Sequence, residues 1–405
     1  MPNPVAPKQA RQILAKVHGF APSRLRTGKN GTVAVLAKHQ CVQVDPIDIA
    51  GRNADLTLQS RVRGYRQEHL IDLLYRERRL FEYYCKMLSI MPIEFYPIFK
   101  RQMASYSNEK RIRSFFSKYK SETKHILRTL ERGPISSRDV VVDMGRMKTG
   151  WGHNATVANM ILTHLWISGR AMLCNRDGAT RTYSLPERVL PESLLNAEPP
   201  EAGEDLVEIA RIIVNAARFV TASGSPEQWS EVGKTKEVRQ ILTRLEESGD
   251  IFEVKLNGSK ETFYAPSKDR GEWRDSSERE EDYVRFLAPL DPLLWSRKVF
   301  STIYGREYAW EIYKKPKDRT YGYYTLPVMF NGEYVGLIEP YFRRQDKVLE
   351  VRSFHFLDGE INRNRFLPAL QREIVRFCGY LNAHETSVKK CNSWVRSALT
   401  VKAVD

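Results

Sequence analysis

The sequence is poor in the features that mark several large protein classes. It has five cysteines in 405 residues: Cys41, Cys85, Cys174, Cys378 and Cys391. No two share a C-x-x-C spacing and no histidine stands near them in a zinc pattern, so no metal site is expected. An odd, scattered set also argues against a disulfide framework and for a reducing compartment. No run approaches the roughly 18 apolar residues that a membrane helix needs. The first ten residues lack a long apolar run after their basic positions, so a signal peptide is not expected. The expected location is the cytoplasm. Negative charge is in deficit as well: 49 acidic residues face 64 Lys and Arg, a formal net charge of +15. A surplus of that size favours an anionic polymer as partner, although membrane-surface proteins can be as basic.

What is present reads as a folded chain, 42% hydrophobic and 28% charged, long enough for several domains. Three segments repeat one plan of helices followed by a hairpin whose turn carries a glycine. The clearest spans residues 204–268. Leu206, Ile209, Ile212, Ile213 and Ala216 recur at helical spacing, Ser230 is placed to cap a short second helix, and Val238, Ile241, Leu242 and Leu245 stripe a third that stops at Gly249. Asn257-Gly258 then turns a hairpin, which completes a winged helix. A second copy over 109–195 has Ser136 and Asp139 as a capping box before a short helix, a helix over Ala155–Ile167 and a hairpin at Asp177-Gly178. A basic run, Arg111, Arg113, Lys118, Lys120 and Lys124, reads as the solvated face of one long helix. The first copy, within 1–108, has helices near Gln9–His18 and Thr32–His39 and an extended piece at Cys41–Asp45. Residues 195–203 read as a linker. Residues 283–382 are rich in Tyr, Phe, Val and Ile and predict a small antiparallel sheet or barrel followed by a helix striped by Phe366, Leu370, Ile374, Phe377 and Leu381. Residues 383–405 read as a loose tail. The expected class is therefore α+β, with three tandem winged helices and a C-terminal β-barrel-like domain.

Several stretches resemble the YcaQ/AlkZ-type winged-helix DNA glycosylases. They are Cys41-Val42-Gln43-Val44-Asp45-Pro46-Ile47, then Arg52 and Leu58-Gln59-Ser60-Arg61; Arg79-Leu80-Phe81-Glu82-Tyr83 and Ile90-Met91-Pro92; Gly150-Trp151; and Thr182 to Pro191. The longest is Phe286-Leu287-Ala288-Pro289-Leu290-Asp291-Pro292-Leu293-Leu294-Trp295, leading to Glu311-Ile312-Tyr313 and Tyr321 to Pro327. The resemblance covers residues 8–357 in order and implies a cleft over damaged DNA. It also implies a catalytic motif of Gln, an apolar residue, then Gln or Asp. Here the form is Gln43-Val44-Asp45, similar to the YcaQ branch. Many relatives carry a His after the arginine matching Arg52, where this chain has Asn53 and Ala54.

Alkylation at N7 of guanine puts a positive charge on the base and weakens its glycosidic bond. The remaining task is to stabilise an oxocarbenium-like sugar and deliver water to C1′. A carboxylate suits both roles, and a neutral amide can hold the water. On an extended strand, side chains two apart face the same way. Asp45 is therefore expected as general base and Gln43 as the group that positions water. Asp45-Pro46-Ile47-Asp48 also reads as a helix start, with Asp45 as N-cap and Pro46 in the first turn. The two readings are compatible. Arg52, Arg61, Arg63 and Arg66 are expected phosphate contacts near the motif, and Lys234, Lys236 and Arg239 further contacts at a helix start. Tyr321, Tyr323 and Tyr324 read as barrel core, Trp151 as a cleft residue or a turn anchor, and His39 and His153 as lacking ligand partners.

Together these readings predict a monofunctional DNA glycosylase that releases N7-alkylated purines, unhooks interstrand crosslinks and leaves an abasic site. Its partner would be double-stranded DNA at the nucleoid, and it would act as a monomer without a cofactor. A lyase needs an amine nucleophile, and the sequence places no lysine beside Gln43 or Asp45. The competing reading is a winged-helix transcription regulator or an architectural nucleic-acid-binding protein without catalysis.

Overall fold

The computed structural model describes residues 4–140, 144–148, 154–274, 281–357 and 359–402. The chain divides into two compact units. One is made of Met1–Leu70, Tyr84–Ile90 and Ile209–Asp405, the other of Ile71–Tyr83 and Met91–Glu208. Gly150, Trp151 and His153 lie outside the described residues.

The first unit opens with the helix Pro7–Val17. Its first proline presets the helical φ, and it buries Ala10, Ile13, Leu14 and Val17. That stripe shares a core with Phe300, Ile303 and Tyr304 of the helix Arg297–Tyr304 and with Val254 and Phe263 of a hairpin. The helix Gly28–His39 stops where Gln40 takes a left-handed φ of 64°. That reversal sends the chain into the strand Val42–Gln43, whose two residues pair antiparallel with Ile90 and Ser89.

Residues 204–268 hold the helix Glu204–Ala217, the helix Thr235–Glu247 and a hairpin of Ile251–Val254 with Phe263–Pro266. The element between the helices is a single 3-10 turn, Pro226–Gln228. Ser230 follows that turn and donates back to the Glu227 carbonyl, so it caps no helix. The N-terminal segment runs beside the hairpin: Val5 donates to the Lys255 carbonyl and accepts from the Asn257 amide.

The C-terminal sheet has five strands in the order Val284–Phe286, Leu326–Phe330, Glu333–Arg343, Val348–Phe356 and Glu385–Lys390. The expected barrel does not form, since the first and last strands are open edges. The helix Arg363–Leu381 explains this. Its Phe366, Leu370, Ile374 and Phe377 pack with Phe286, Leu326, Val328, Ile338 and Leu349 in one core. A helix already covers the apolar face that barrel closure would otherwise bury. Residues after Ala383 are also not a loose tail. Glu385–Lys390 adds parallel to Val348–Phe356, and Val395, Ala398 and Leu399 of the helix Ser393–Leu399 are buried in the same core.

In the second unit the basic run lies on two helices, Lys110–Lys118 and Lys120–Arg132, because the helix breaks at Tyr119. Its charged positions are exposed. Ser136 and Asp139 close a turn: the Asp139 carboxylate accepts from the Ser136 amide at 2.7 Å and its hydroxyl at 2.8 Å, and no helix follows directly. Thr156 caps the helix Val157–Ile167, and the strands Met172–Asp177 and Thr180–Ser184 form the hairpin expected around Gly178. Of residues 195–203, Leu195 ends the short helix Glu192–Leu195 and the rest are irregular but tied down, with Lys100 donating to the Leu195 carbonyl at 2.6 Å.

One loop of the first unit is organised around a single carboxylate. Glu311 is 1% exposed and accepts from the Tyr321 amide at 2.7 Å, the Thr320 amide at 3.1 Å and Lys314 Nζ at 2.8 Å. Burial raises its pKa, but the Lys314 ammonium and the backbone amides outweigh it and bring the carboxyl down to about 2. A depressed acid stabilises the fold above its unfolded value and loses that contribution as pH falls through the folded one. Glu311→Gln should therefore cost about 1–3 kcal/mol at neutral pH. In urea titrations the gap from wild type should narrow between pH 4.5 and about 2.

Candidate active site around Gln43 and Asp45

Gln43 is held on all sides but one. Its backbone lies in the short strand, and its carbonyl accepts from Asn53 Nδ2 at 2.8 Å. Asn53 is 1% exposed, and its Oδ1 accepts from the Leu290 amide at 2.9 Å. The position where relatives carry His is thus a buried clamp between two chain segments in this structure. The side-chain Oε1 of Gln43 accepts from Lys86 Nζ at 2.8 Å. Its Nε2 has no partner among the described residues, yet it is not among the buried unpaired atoms. The amide nitrogen is therefore the end left free of the Lys86 bond.

Asp45 lies just past the strand and is half-buried. Its Oδ1 accepts from the Ile47 amide at 2.9 Å, and its Oδ2 has no partner among the described residues. That bond closes a short turn of the kind Asp makes two residues ahead. The expected helix start is corrected: residues 44–49 are irregular and the next helix is Asn53–Gln59. Burial raises the carboxyl pKa, and the Ile47 amide only partly opposes it. Tyr324, 1% exposed, feels the Asp45 charge and is held far above the usual phenol range, chiefly by its own burial. It stays neutral beside the carboxylate. The other two tyrosines of that cluster, Tyr321 and Tyr323, are half-buried.

The structure sorts the expected DNA contacts. Arg61 is corrected: it is 1% exposed, and its terminal nitrogens grip Asp291 at 2.7 and 2.8 Å. Arg52 gives its Nε to Asp55 at 2.9 Å and keeps its side chain partly exposed. Arg63 and Arg66 are exposed, and Arg66 lines an open groove of about 560 Å³ with Asp48, Gly51, Gln67, Arg344 and Tyr380. Gly51 is forced there, because a Cβ would stand 2.2 Å from the Tyr380 hydroxyl. Gln43 and Asp45 do not line that groove. Lys234, Lys236 and Arg239 are exposed at the start of the helix Thr235–Glu247.

Lys86 is the residue that sequence reasoning missed. It stands 43 positions from Gln43, and only the pairing of Val42–Gln43 with Ser89 and Ile90 brings it alongside. No lysine lies beside the motif along the chain, but one does in space. His39 is a core histidine, stacked on His18 at 5.5 Å and donating from Nδ1 to the Ala216 carbonyl. Burial holds its pKa well below the usual value. Among the described residues no three His, Cys, Asp or Glu side chains gather as a metal site. No helix among them is long and apolar enough to cross a membrane.

A family model described as DNA glycosylase AlkZ-like matches residues 36–380. Among solved structures, the Streptomyces sahachiroi DNA glycosylase AlkZ superposes with a TM-score of 0.64 at 15% identity, covering 96% of this chain and 100% of that one. At that identity the likeness is one of mixed α+β fold.

Because Arg61 and Asp291 are both buried, removing one partner strands a charge. Arg61→Ala should lower unfolding free energy by about 3–5 kcal/mol. The paired change Arg61→Met with Asp291→Leu should recover most of it, which chemical denaturation of wild type and the two variants would show.

Proposed function

The chain belongs to the DNA glycosylase AlkZ-like family, and from that premise we propose that it hydrolyses the N-glycosidic bond of N7-alkylated purines in duplex DNA and unhooks interstrand crosslinks formed through that nitrogen. The observation that carries the reading is Asp45: a half-buried carboxylate with a raised pKa and one oxygen without a partner among the described residues, two residues from an amide whose oxygen is held by Lys86. In the proposed step, the C1′–N9 bond breaks and its electron pair neutralises the cationic base. The oxygen of a water held by Gln43 bonds to C1′, and Asp45 Oδ2 takes its proton. Before that transfer the carboxylate faces the developing sugar cation. The product is an abasic site, and no cofactor enters the step.

The Gln-x-Asp form aligns this chain with the YcaQ-like branch and its broader lesion range. The proposed phosphate contacts are Arg52, Arg63, Arg66, Lys234, Lys236 and Arg239. A monomer acting on DNA at the nucleoid in the cytoplasm fits the basic balance of +15. A transcription regulator would need no raised, half-buried carboxylate beside an oriented amide.

The direct test is base release from duplex DNA containing 7-methylguanine, with a nitrogen-mustard crosslink in parallel. Wild type should give alkali-dependent breaks, and Asp45→Asn should release base on the order of 10²–10⁴-fold more slowly. An acid whose folded pKa is raised costs stability once ionised. The same variant should therefore unfold at an equal or higher temperature. Loss of release with loss of fold would instead make Asp45 a structural residue.

The DNA interface is tested by salt. Replacing Lys234, Lys236 and Arg239 together by Gln should flatten the slope of log binding constant against log salt by about 0.9 for each phosphate that these side chains neutralise. An unchanged slope would remove this helix from the interface.

A further inference from the structure

We infer that Lys86 is the positioning residue of this site: its Nζ, 2.8 Å from Gln43 Oε1, fixes the amide so that Nε2 faces outward as the donor that holds the attacking water. The inference rests on the hydrolytic reading above and extends it to the orientation of Gln43.

An amide has two faces that differ only in which atom accepts and which donates. Reversed, Gln43 would present its oxygen to the water and compete with Asp45 for the same proton. With Oε1 occupied, Gln43 offers the water only N–H donors. One lone pair of the water is then held by the amide, the other is free for C1′, and Asp45 is the sole acceptor for the departing proton. Donation from a cation also polarises the amide and strengthens its N–H groups.

Lys86 is an unusual residue to find in this position for structural reasons alone. It is 5% exposed, and no carboxylate pairs with it within 4 Å among the described residues. Its other close neighbour is the Trp295 ring, 5.6 Å from Nζ to the centroid. The charged groups around it are Arg297, which disfavours its charge, and Glu227, which favours it, with the Cys41 thiol also near. A buried, unneutralised ammonium is costly, and its one hydrogen bond goes to the side chain that carries the motif. Burial first, and Arg297 second, lower its pKa to about 8. Above that pH the bond to Oε1 loses its charge assistance and the amide is freer to turn.

The experiment is single-turnover release of 7-methylguanine by wild type, Lys86→Arg and Lys86→Met, followed across the alkaline range. Wild type should slow above about pH 8. Lys86→Arg should stay within several-fold of wild type at neutral pH and lose that alkaline fall, since a guanidinium does not deprotonate there. Lys86→Met should be at least about tenfold slower, with DNA affinity unchanged and no alkaline fall. A Lys86→Met enzyme with wild-type rate and wild-type pH profile overturns the inference. So does borohydride capture of a covalent DNA adduct at Lys86 Nζ, which would make the amine a nucleophile and the enzyme a lyase. A second readout needs no activity. The Gln43 side-chain amide resonances of the free protein should titrate near pH 8 in wild type and stay flat in Lys86→Arg. If wild type released no base, the hydrolytic reading would fail on its own. A flat Gln43 amide in wild type would then overturn the positioning role separately.

Discussion

The geometry of the candidate site depends on one buried ion pair. Arg61 and Asp291, 230 residues apart, are joined by two bonds of 2.7 and 2.8 Å inside the first unit. Asp291 also caps the 3-10 turn Pro292–Leu294, while Arg61 reaches back to the Thr57 carbonyl of the helix Asn53–Gln59. At the other end of that helix, Asn53 binds both Leu290 and the Gln43 carbonyl. Residues 53–61 and 290–295 are thus stitched at two points, and the strand bearing Gln43 hangs from the first of them. A buried pair of this kind adds little net stability over a hydrophobic one but is costly to break. What it contributes is a unique arrangement, which a site built on hydrogen-bond direction requires.

On that frame sit two groups whose burial works against folding. Asp45 is raised and Lys86 lowered, each mainly because it is taken out of water. Sign by sign, both penalties are present at neutral pH. An acid with a raised folded pKa destabilises when ionised, and a base with a lowered one destabilises when protonated. Neither is neutralised by an ion pair among the described residues: Lys86 donates to an amide, and Asp45 accepts from a backbone N–H. Glu311 shows the opposite arrangement, with enough donors to pull its carboxyl far down. The contrast separates a carboxylate used to build a loop from one that burial leaves perturbed, the kind of group from which the proposed site is drawn.

Much of this was legible in the residues. Apolar periodicity located the helices near residues 9–18, 157–167, 206–216 and 235–247, and Asn257-Gly258 located a hairpin turn. The Gln43-Val44-Asp45 motif was singled out by the family resemblance, since a Gln-x-Asp triplet by itself carries little signal. The errors share one cause, which is that a one-dimensional pattern does not reveal who covers whom. Arg61 and Arg63 look alike in sequence, yet one is sealed against Asp291 and the other is exposed. The barrel expectation missed that the helix Arg363–Leu381 would cover the apolar face of the sheet. The polar Glu385–Lys390 read as tail because an edge strand needs little burial of its own. Lys86 was invisible because its proximity to Gln43 comes from strand pairing.

The same pairing explains why the motif works as a strand leaving a sheet. Val42 and Gln43 are paired, and Val44 still donates to the Leu88 carbonyl, so the backbone around Gln43 is fixed. Asp45 is one residue beyond the last of those bonds, and Pro46 keeps it extended while denying it a helix. Its carboxylate must then settle locally, and one oxygen does so on the Ile47 amide. Had residues 46–49 become a helix, Asp45 would have spent its acceptors on the N-terminal amides and its pKa would have fallen. Left in a turn that satisfies only one oxygen among the described residues, it has the second available as the proton acceptor of the proposed step. A rigid donor and a half-satisfied acceptor, two residues apart, are what water-mediated attack at a sugar carbon requires.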